Sequence, residues 1–236
     1  MNEQHYRYYD LIMALFVTVL LISNLLSSAK IIDLNTAIGP LALVFDAGTL
    51  VFPISYIFGD VLTEVYGYRR SRRVIWAGFG ANVLLGLFVW LAGVMPGESG
   101  WQNDVGQGAY DSVLGGINGL IVASLVAYFL GEFSNSFVLA KMKVWTGGRW
   151  LWTRTIGSTL VGQAIDTTVF MLIATLLGVF STSILLSLIV TNYILKVSFE
   201  ALLTPITYRI VGLLKAAEHE DYYDHHTNFN PFRLHV

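Results

Sequence analysis

Six ionisable residues stand inside stretches of this sequence that are otherwise apolar: Asp46, Asp60, Glu132, Asp166, Lys196 and Glu200, with Glu64 just beyond one of them. An ionised side chain at the centre of a bilayer costs about 2.5–3.5 kcal/mol on insertion scales. Such groups are tolerated when they face an interior cavity and pair there. The chemistry open to them is ion pairing, hydrogen bonding and the handling of polar cargo. Residues three or four apart share a helix face. Asn192, Lys196 and Glu200 recur at i, i+4, i+8, and Gln163 and Asp166 at i, i+3 with Phe170 one turn further. Glu132 and Asn135 are i, i+3, and Asp60 and Glu64 are i, i+4. Four helices thus present polar stripes that can converge on one cavity. The structural alternative is that Asn and Gln only bond neighbouring helices, and that Lys196 and Glu200 satisfy each other within one helix. The residues alone leave both readings open.

Catalytic signatures are weak. The chain holds no HExxH, GxSxG, Walker loop or GxGxxG. Gly59-Asp60 has the form of an intramembrane aspartyl protease motif, but Ile57 occupies the place of its first glycine. Histidines occur only at His5, His219, His225, His226 and His235, in polar terminal segments that read as solvated rather than metal-binding. No enzyme, metal or cofactor is expected. Cysteine is absent, which excludes disulfides and thiolate metal sites. A net charge of −2 gives no reason to expect a nucleic-acid partner.

The elements that position the polar residues follow from composition. The chain of 236 residues is 55% hydrophobic and 13% charged, against about 25% charged in soluble domains. A spanning helix needs about 20 apolar residues. Six segments qualify: Leu11–Ser28, Leu41–Leu62, Val74–Met95, Ile117–Leu139, Thr155–Phe180 and Ile184–Leu214. The first could pass for a signal peptide ending at Ser27-x-Ala29, but it is long enough to span and reads as the first helix. Backbone groups cannot go unpaired in lipid, so all six are expected to be helices. The fold class is therefore an all-α integral membrane bundle of six helices over residues 1–214, followed by a polar cytoplasmic tail over 215–236.

Loop charges orient the bundle. Arg69, Arg70, Arg72 and Arg73 follow span two, and Lys141, Lys143, Arg149 and Arg154 follow span four. The loop from Pro96 to Gly116 carries Glu98, Asp104 and Asp111 and no Lys or Arg. Both termini are expected to be cytoplasmic. Counted at about 1.5 Å per residue, Asp166 and Lys196 fall near the midplane, with Asp60, Glu132 and Glu200 nearer the cytoplasm. Glycines in spans three to five (Gly78, Gly80, Gly86, Gly157, Gly162) read as close helix packing. Spans two and four each place a Gly-acid pair, Gly59-Asp60 and Gly131-Glu132, about ten residues before a basic stretch, a weak internal symmetry of the kind transporter repeats produce.

Several motifs together resemble one family. Gly48-x3-Phe52-Pro53, then Asp60-x3-Glu64-x-Tyr66-Gly67 and Arg72-Arg73, resemble the second-helix signature of the queuosine-precursor transporters, within the vitamin-uptake-transporter-like group. Ser23-Asn24, Gly162-Gln163-x2-Asp166-Thr167 and Asn192-Tyr193-x2-Lys196 fit the same family in order and spacing, over about residues 8 to 214.

The resemblance implies an uptake protein of the bacterial cytoplasmic (inner) membrane, similar in arrangement to the substrate-binding subunits of energy-coupling-factor importers. It implies 7-deazaguanine substrates, 7-cyano-7-deazaguanine or its aminomethyl form, scavenged for tRNA modification. Such subunits dock on their ATP-driven module through Ala-x-x-x-Ala on span one. Here Ala14 is followed by Thr18, which argues for a transporter working alone over a subunit of an ATP-driven vitamin-type importer. A guanine edge offers two adjacent donors that one carboxylate accepts together, while its carbonyl and ring nitrogen accept from Asn, Gln or Lys. Asp166 or Glu132 is thereby assigned the donor edge; Asn135, Gln163 and Lys196 the acceptors; Phe52 or Phe170 the stacking face. Asn24, Asp60 and Asn192 complete the candidate substrate site. The other partners are the lipid bilayer and, left open, a second copy of the chain.

Overall fold

The computed structural model describes residues 6–39, 41–115 and 117–233, without the side chains of residues 38, 41, 52, 53, 117 and 118. Among the described residues, five helices are long and apolar enough to cross a membrane. These are α1 (Tyr9–Ala29), α3 (Tyr68–Val94), α6 (Ile117–Trp145), α7 (Leu151–Leu176) and α8 (Leu185–Glu218), the last carrying Pro205 inside it. Helices α1 and α3 run in the same direction, with Tyr9 Oη donating to the Arg70 carbonyl at 3.0 Å and Asn24 to Asn82 Oδ1 at 2.9 Å, whereas α3, α6, α7 and α8 alternate. The basic residues gather at one end, where Tyr6 Oη donates to Glu220 at 2.6 Å and so places both terminal segments side by side.

The expected second span, Leu41–Leu62, is not one helix. Residues Ile31–Ile38 (β1) and Leu41–Asp46 (β2) form an antiparallel hairpin, followed by a 3₁₀ turn over Ala47–Leu50 and a shorter helix α2, Phe52–Tyr66. The sequence carries the reasons. Pro53 has no N–H for an interior helical bond, but is well suited to the first turn of a helix that begins at Phe52. Gly39 turns with φ +61°, and Asn35 takes φ +52° where the register slips between Asp33 and Ala37. The Asp33 carboxylate accepts the Asn35 N–H at 2.8 Å, a turn that Asp and Asn make readily. The hairpin pairs the facing edges of its two strands, and the expectation that every apolar segment is helical fails here. At 15 residues, α2 is about 22 Å long, less than the ~30 Å hydrocarbon core.

Despite its length, α2 lies at the centre. From Val61 to Tyr68 every residue is buried, and it packs on α1, α3, α6 and α8. The main apolar core joins Ile12, Phe16 and Leu20 of α1 to Val61, Leu62 and Val65 of α2 and Tyr128 and Phe133 of α6. The connection between α3 and α6 holds two short helices, α4 (Ser99–Asp104) and α5 (Gly106–Tyr110), and a π-helical turn over Asp111–Gly115. Tyr110 Oη donates to the Val89 carbonyl at 2.7 Å, bracing this cap on α3.

Small residues set the helix spacing where the polar stripes meet. A Cβ at Gly131 would lie 2.6 Å from Asp166 Cβ, and one at Gly162 would lie 2.7 Å from Asn135 Cβ. The backbones of α6 and α7 can approach this closely only because both positions are glycine. Gly78 and Gly86 likewise seat Tyr128 and Ile121, whereas Gly80 faces open space and has no packing role.

The segment after α8 folds back on the basic end. Tyr222 N–H bonds the Val65 carbonyl at 3.2 Å, Arg72 reaches the carbonyls of Asn228 and Asn230 at 3.0 and 2.7 Å, and Trp76 donates to that of Pro231 at 2.8 Å. Asp224 is buried, while His219, His225 and His226 are exposed.

Candidate functional site

The polar stripes form two layers. In the inner layer, Lys196 Nζ of α8 lies 3.1 Å from Asp166 Oδ2 of α7. Lys196 is only 4% exposed, and its partner is partly open. Glu132 of α6 joins this pair electrostatically and lies against Gly59, where an added Cβ would sit 3.7 Å from its Oε2. Asn135 lies one turn along α6, next to Asp60 of α2. Gln163 lies one turn before Asp166. The oxygens of both amide side chains, Asn135 Oδ1 and Gln163 Oε1, are buried without a hydrogen-bond partner, as is the hydroxyl of Thr167. A buried polar atom left unmatched is costly, and here several cluster around one ion pair. The arrangement offers carboxylates and amide oxygens as acceptors and an ammonium as donor, all between α2, α6, α7 and α8.

Other expected site residues are already engaged. Asn24 donates to Leu20 O at 3.1 Å and to Asn82 Oδ1 at 2.9 Å, and accepts from Ser124 Oγ at 2.8 Å, which links α1, α3 and α6. Asn192 accepts from Thr49 Oγ1 at 2.6 Å and donates to Leu188 O at 2.8 Å, fastening α8 to the 3₁₀ turn. Phe170 sits 6.3 Å from Phe180, edge to face, in a small outer core with Val44. The Phe52 side chain lies outside the described residues. Lys196 and Glu200 are not a self-contained pair: Lys196 turns to Asp166, and Glu200 faces Asp60.

The second layer lies at the basic end; the sequence shows Glu64 on a stripe with Asp60 but not the cations that surround it. Its hub is Glu64, fully buried, which accepts Arg154 Nε and Nη2 at 2.7 and 2.8 Å and Lys215 Nζ at 2.6 Å. Lys143 Nζ lies 3.5 Å from Glu64 and 2.6 Å from Asp221. Burial opposes ionisation of Asp221, but hydrogen bonds from Lys143 and Lys215 prevail and hold its carboxyl below the ordinary value. At Asp224 burial prevails and raises it, despite the bond from Tyr68 N–H at 3.1 Å. A further polar knot joins Asp46, Ser27 and Thr49 beneath the hairpin. There Gly48 is indispensable, because any Cβ would collide with Ser27 and with the Ser23 carbonyl.

Comparison with known proteins decides what this architecture serves. Residues 46–210 match the family described as "Putative vitamin uptake transporter". The chain belongs to that family. It is also 28% identical, over 162 residues, to a "Probable queuosine precursor transporter" of Bacillus subtilis (strain 168), covering 68% of this chain and 69% of that one. No solved structure matches. The chain is thus a multi-pass membrane transporter for a small molecule, from a family of carriers rather than enzymes. The matched region, residues 46–210, begins at Asp46 and takes in both polar layers except Lys215, Asp221 and Asp224.

Proposed function

We propose that this transporter imports queuosine precursors, 7-cyano-7-deazaguanine or its aminomethyl form, across the bacterial inner membrane, with both termini in the cytoplasm. The observation that carries this reading is the Asp166–Lys196 pair, set among acceptors that have no protein partner. A carboxylate there can accept the two adjacent donors of a guanine edge, and Lys196 can donate to the carbonyl. A base entering between them exchanges its own hydrogen bonds for part of the ion pair. Desolvation of the base is thereby offset by groups that are poorly matched without it. Asp60, Glu132, Asn135 and Gln163 supply the remaining polar contacts, and the aromatic side chains nearby supply stacking.

The chain works alone in this reading. The Thr18 hydroxyl bonds the Ala14 carbonyl at 2.8 Å, so α1 shows a different face from the Ala-x-x-x-Ala surface that docks on an ATP-driven module. The relative's name supports the substrate class, and the excess of basic residues at the end that holds both terminal segments supports the orientation. The test is uptake of labelled 7-cyano-7-deazaguanine by cells that cannot synthesise it, with and without this chain. Accumulation in queuosine-modified tRNA is expected only with the chain. Equal uptake in both strains would sink the assignment.

A further inference from the structure

Asp60 of α2 and Glu200 of α8 face each other across a helix contact, 1% and 0% exposed. Among the described residues no Lys or Arg forms an ion pair with either. Asn135, 9% exposed, lies beside Asp60, and its Oδ1 is a further acceptor with no partner. Two carboxylates and an amide oxygen therefore crowd one buried spot with too few donors. Adjacent carboxylates in a low-dielectric site cannot both hold a charge, and they share a proton instead.

The surroundings do not change this. The ionisable groups near the pair are Glu132 of α6, Asp166 of α7, Lys196 of α8, Tyr56 of α2 and Asp46 at the end of β2, which Ser27 and Thr49 hold. Lys196 is committed to Asp166 at 3.1 Å, and Glu64, one turn along α2, is committed to Arg154. The described part of α1 buries no ionisable side chain, and Arg72, the charged side chain that α3 buries, is bonded to the carbonyls of Asn228 and Asn230.

We propose that Asp60 and Glu200 form a proton-binding site that couples transport to the proton gradient. The proton enters from the outer side, is held between a carboxylate oxygen of Asp60 and one of Glu200, and leaves to the inner side in the cycle that carries the substrate. A sodium ion fits less well. Sodium sites in transporters draw on carbonyls of unwound helix segments, whereas α2 and α8 are continuous helices here, and the Glu200 carbonyl is already bonded by Thr204 Oγ1 at 2.8 Å. Placing the site between α2 and α8, one turn from Lys196, joins proton binding to the helices that hold the polar centre.

The transport arm of the test rests on the proposed substrate, and the second arm does not. Purified full-length chain in proteoliposomes is given labelled 7-cyano-7-deazaguanine. With one proton per substrate and an inside-alkaline gradient of about one unit, wild type accumulates label about tenfold. Glu200→Gln loses this accumulation yet still exchanges label across the membrane. Accumulation that follows a sodium gradient, or mere equilibration under both gradients, overturns the proposal. Absence of any exchange by wild type would sink the substrate assignment instead, and the second arm then decides. A shared proton gives stability that is present at low pH and lost as pH rises past the release of that proton. Wild-type Tm should therefore fall relative to that of Glu200→Gln as pH rises above the ordinary carboxylate range. Parallel profiles overturn the proposal. Asp60→Asn serves in this arm if Glu200→Gln does not insert.

Discussion

Glu64 of α2 receives two nitrogens of Arg154 from α7 at 2.7 and 2.8 Å, with side chains 0% and 2% exposed. A fork of this kind fixes both angle and distance between two helices. It sits where α2, α6, α7 and α8 come together, with Lys143 and Lys215 adding positive charge that Asp221 partly offsets. Removing one partner strands the others. Glu64→Gln should lower stability by about 3–5 kcal/mol, because Arg154 loses its counter-ion in a buried site and Lys143 and Lys215 are left with Asp221 alone. Thermal unfolding in detergent measures it. A Glu64→Gln protein as stable as wild type would show that the fork contributes nothing.

Asp166→Asn keeps the shape of the side chain and half its acceptor capacity but removes the charge that balances Lys196. Uptake should fall about a hundredfold through weakened affinity, with the protein still inserted. Membrane fractionation beside a transport assay separates the outcomes. Wild-type affinity in Asp166→Asn would refute a substrate role. Loss of both Asp166→Asn and Lys196→Ala from the membrane would make the pair a structural tie.

The long helices were legible because apolar length alone decides them, and Asp166 and Lys196 were legible as a pair because depth along two neighbouring spans can be counted. The hairpin was not. Its strands are short apolar runs that periodicity cannot tell from buried helix, and the run Leu41–Leu62 hid a break that Pro53 and Gly39 mark. Asn192 was placed at the cavity by spacing and Asn24 by the family resemblance, but their bonds go to Asn82, Ser124 and Thr49, which lie far away in sequence. The Glu64 hub escaped for the same reason: Lys143 and Arg154 read as orienting charges until the fold brought them together.

Orientation can be checked because the chain contains no native cysteine. Arg72 is a poor probe position, since it is 2% exposed. Arg73, Asn103 and His226 are exposed. With the basic end inside, a membrane-impermeant thiol reagent applied to intact cells should label Asn103→Cys and spare Arg73→Cys and His226→Cys until the membrane is opened. Labelling at 73 in sealed cells would reverse the orientation.

The joint between α2 and α3 is a single residue, Gly67, with φ +81°. That backbone region is open to glycine and costs other residues about 1–3 kcal/mol. A Cβ there would also collide with the Tyr222 ring, which the returning segment lays against the joint. Gly67→Ala should therefore destabilise the chain by two separable effects, backbone strain and a clash. Only the second depends on Tyr222. In a Tyr222→Ala background the cost of Gly67→Ala should shrink by about 1 kcal/mol or more, a coupling within the range for residues in contact. Unfolding of the four proteins of this cycle gives the value. A cost of Gly67→Ala that is the same in both backgrounds would mean that the segment beyond α8 does not press on this joint in the membrane-embedded protein.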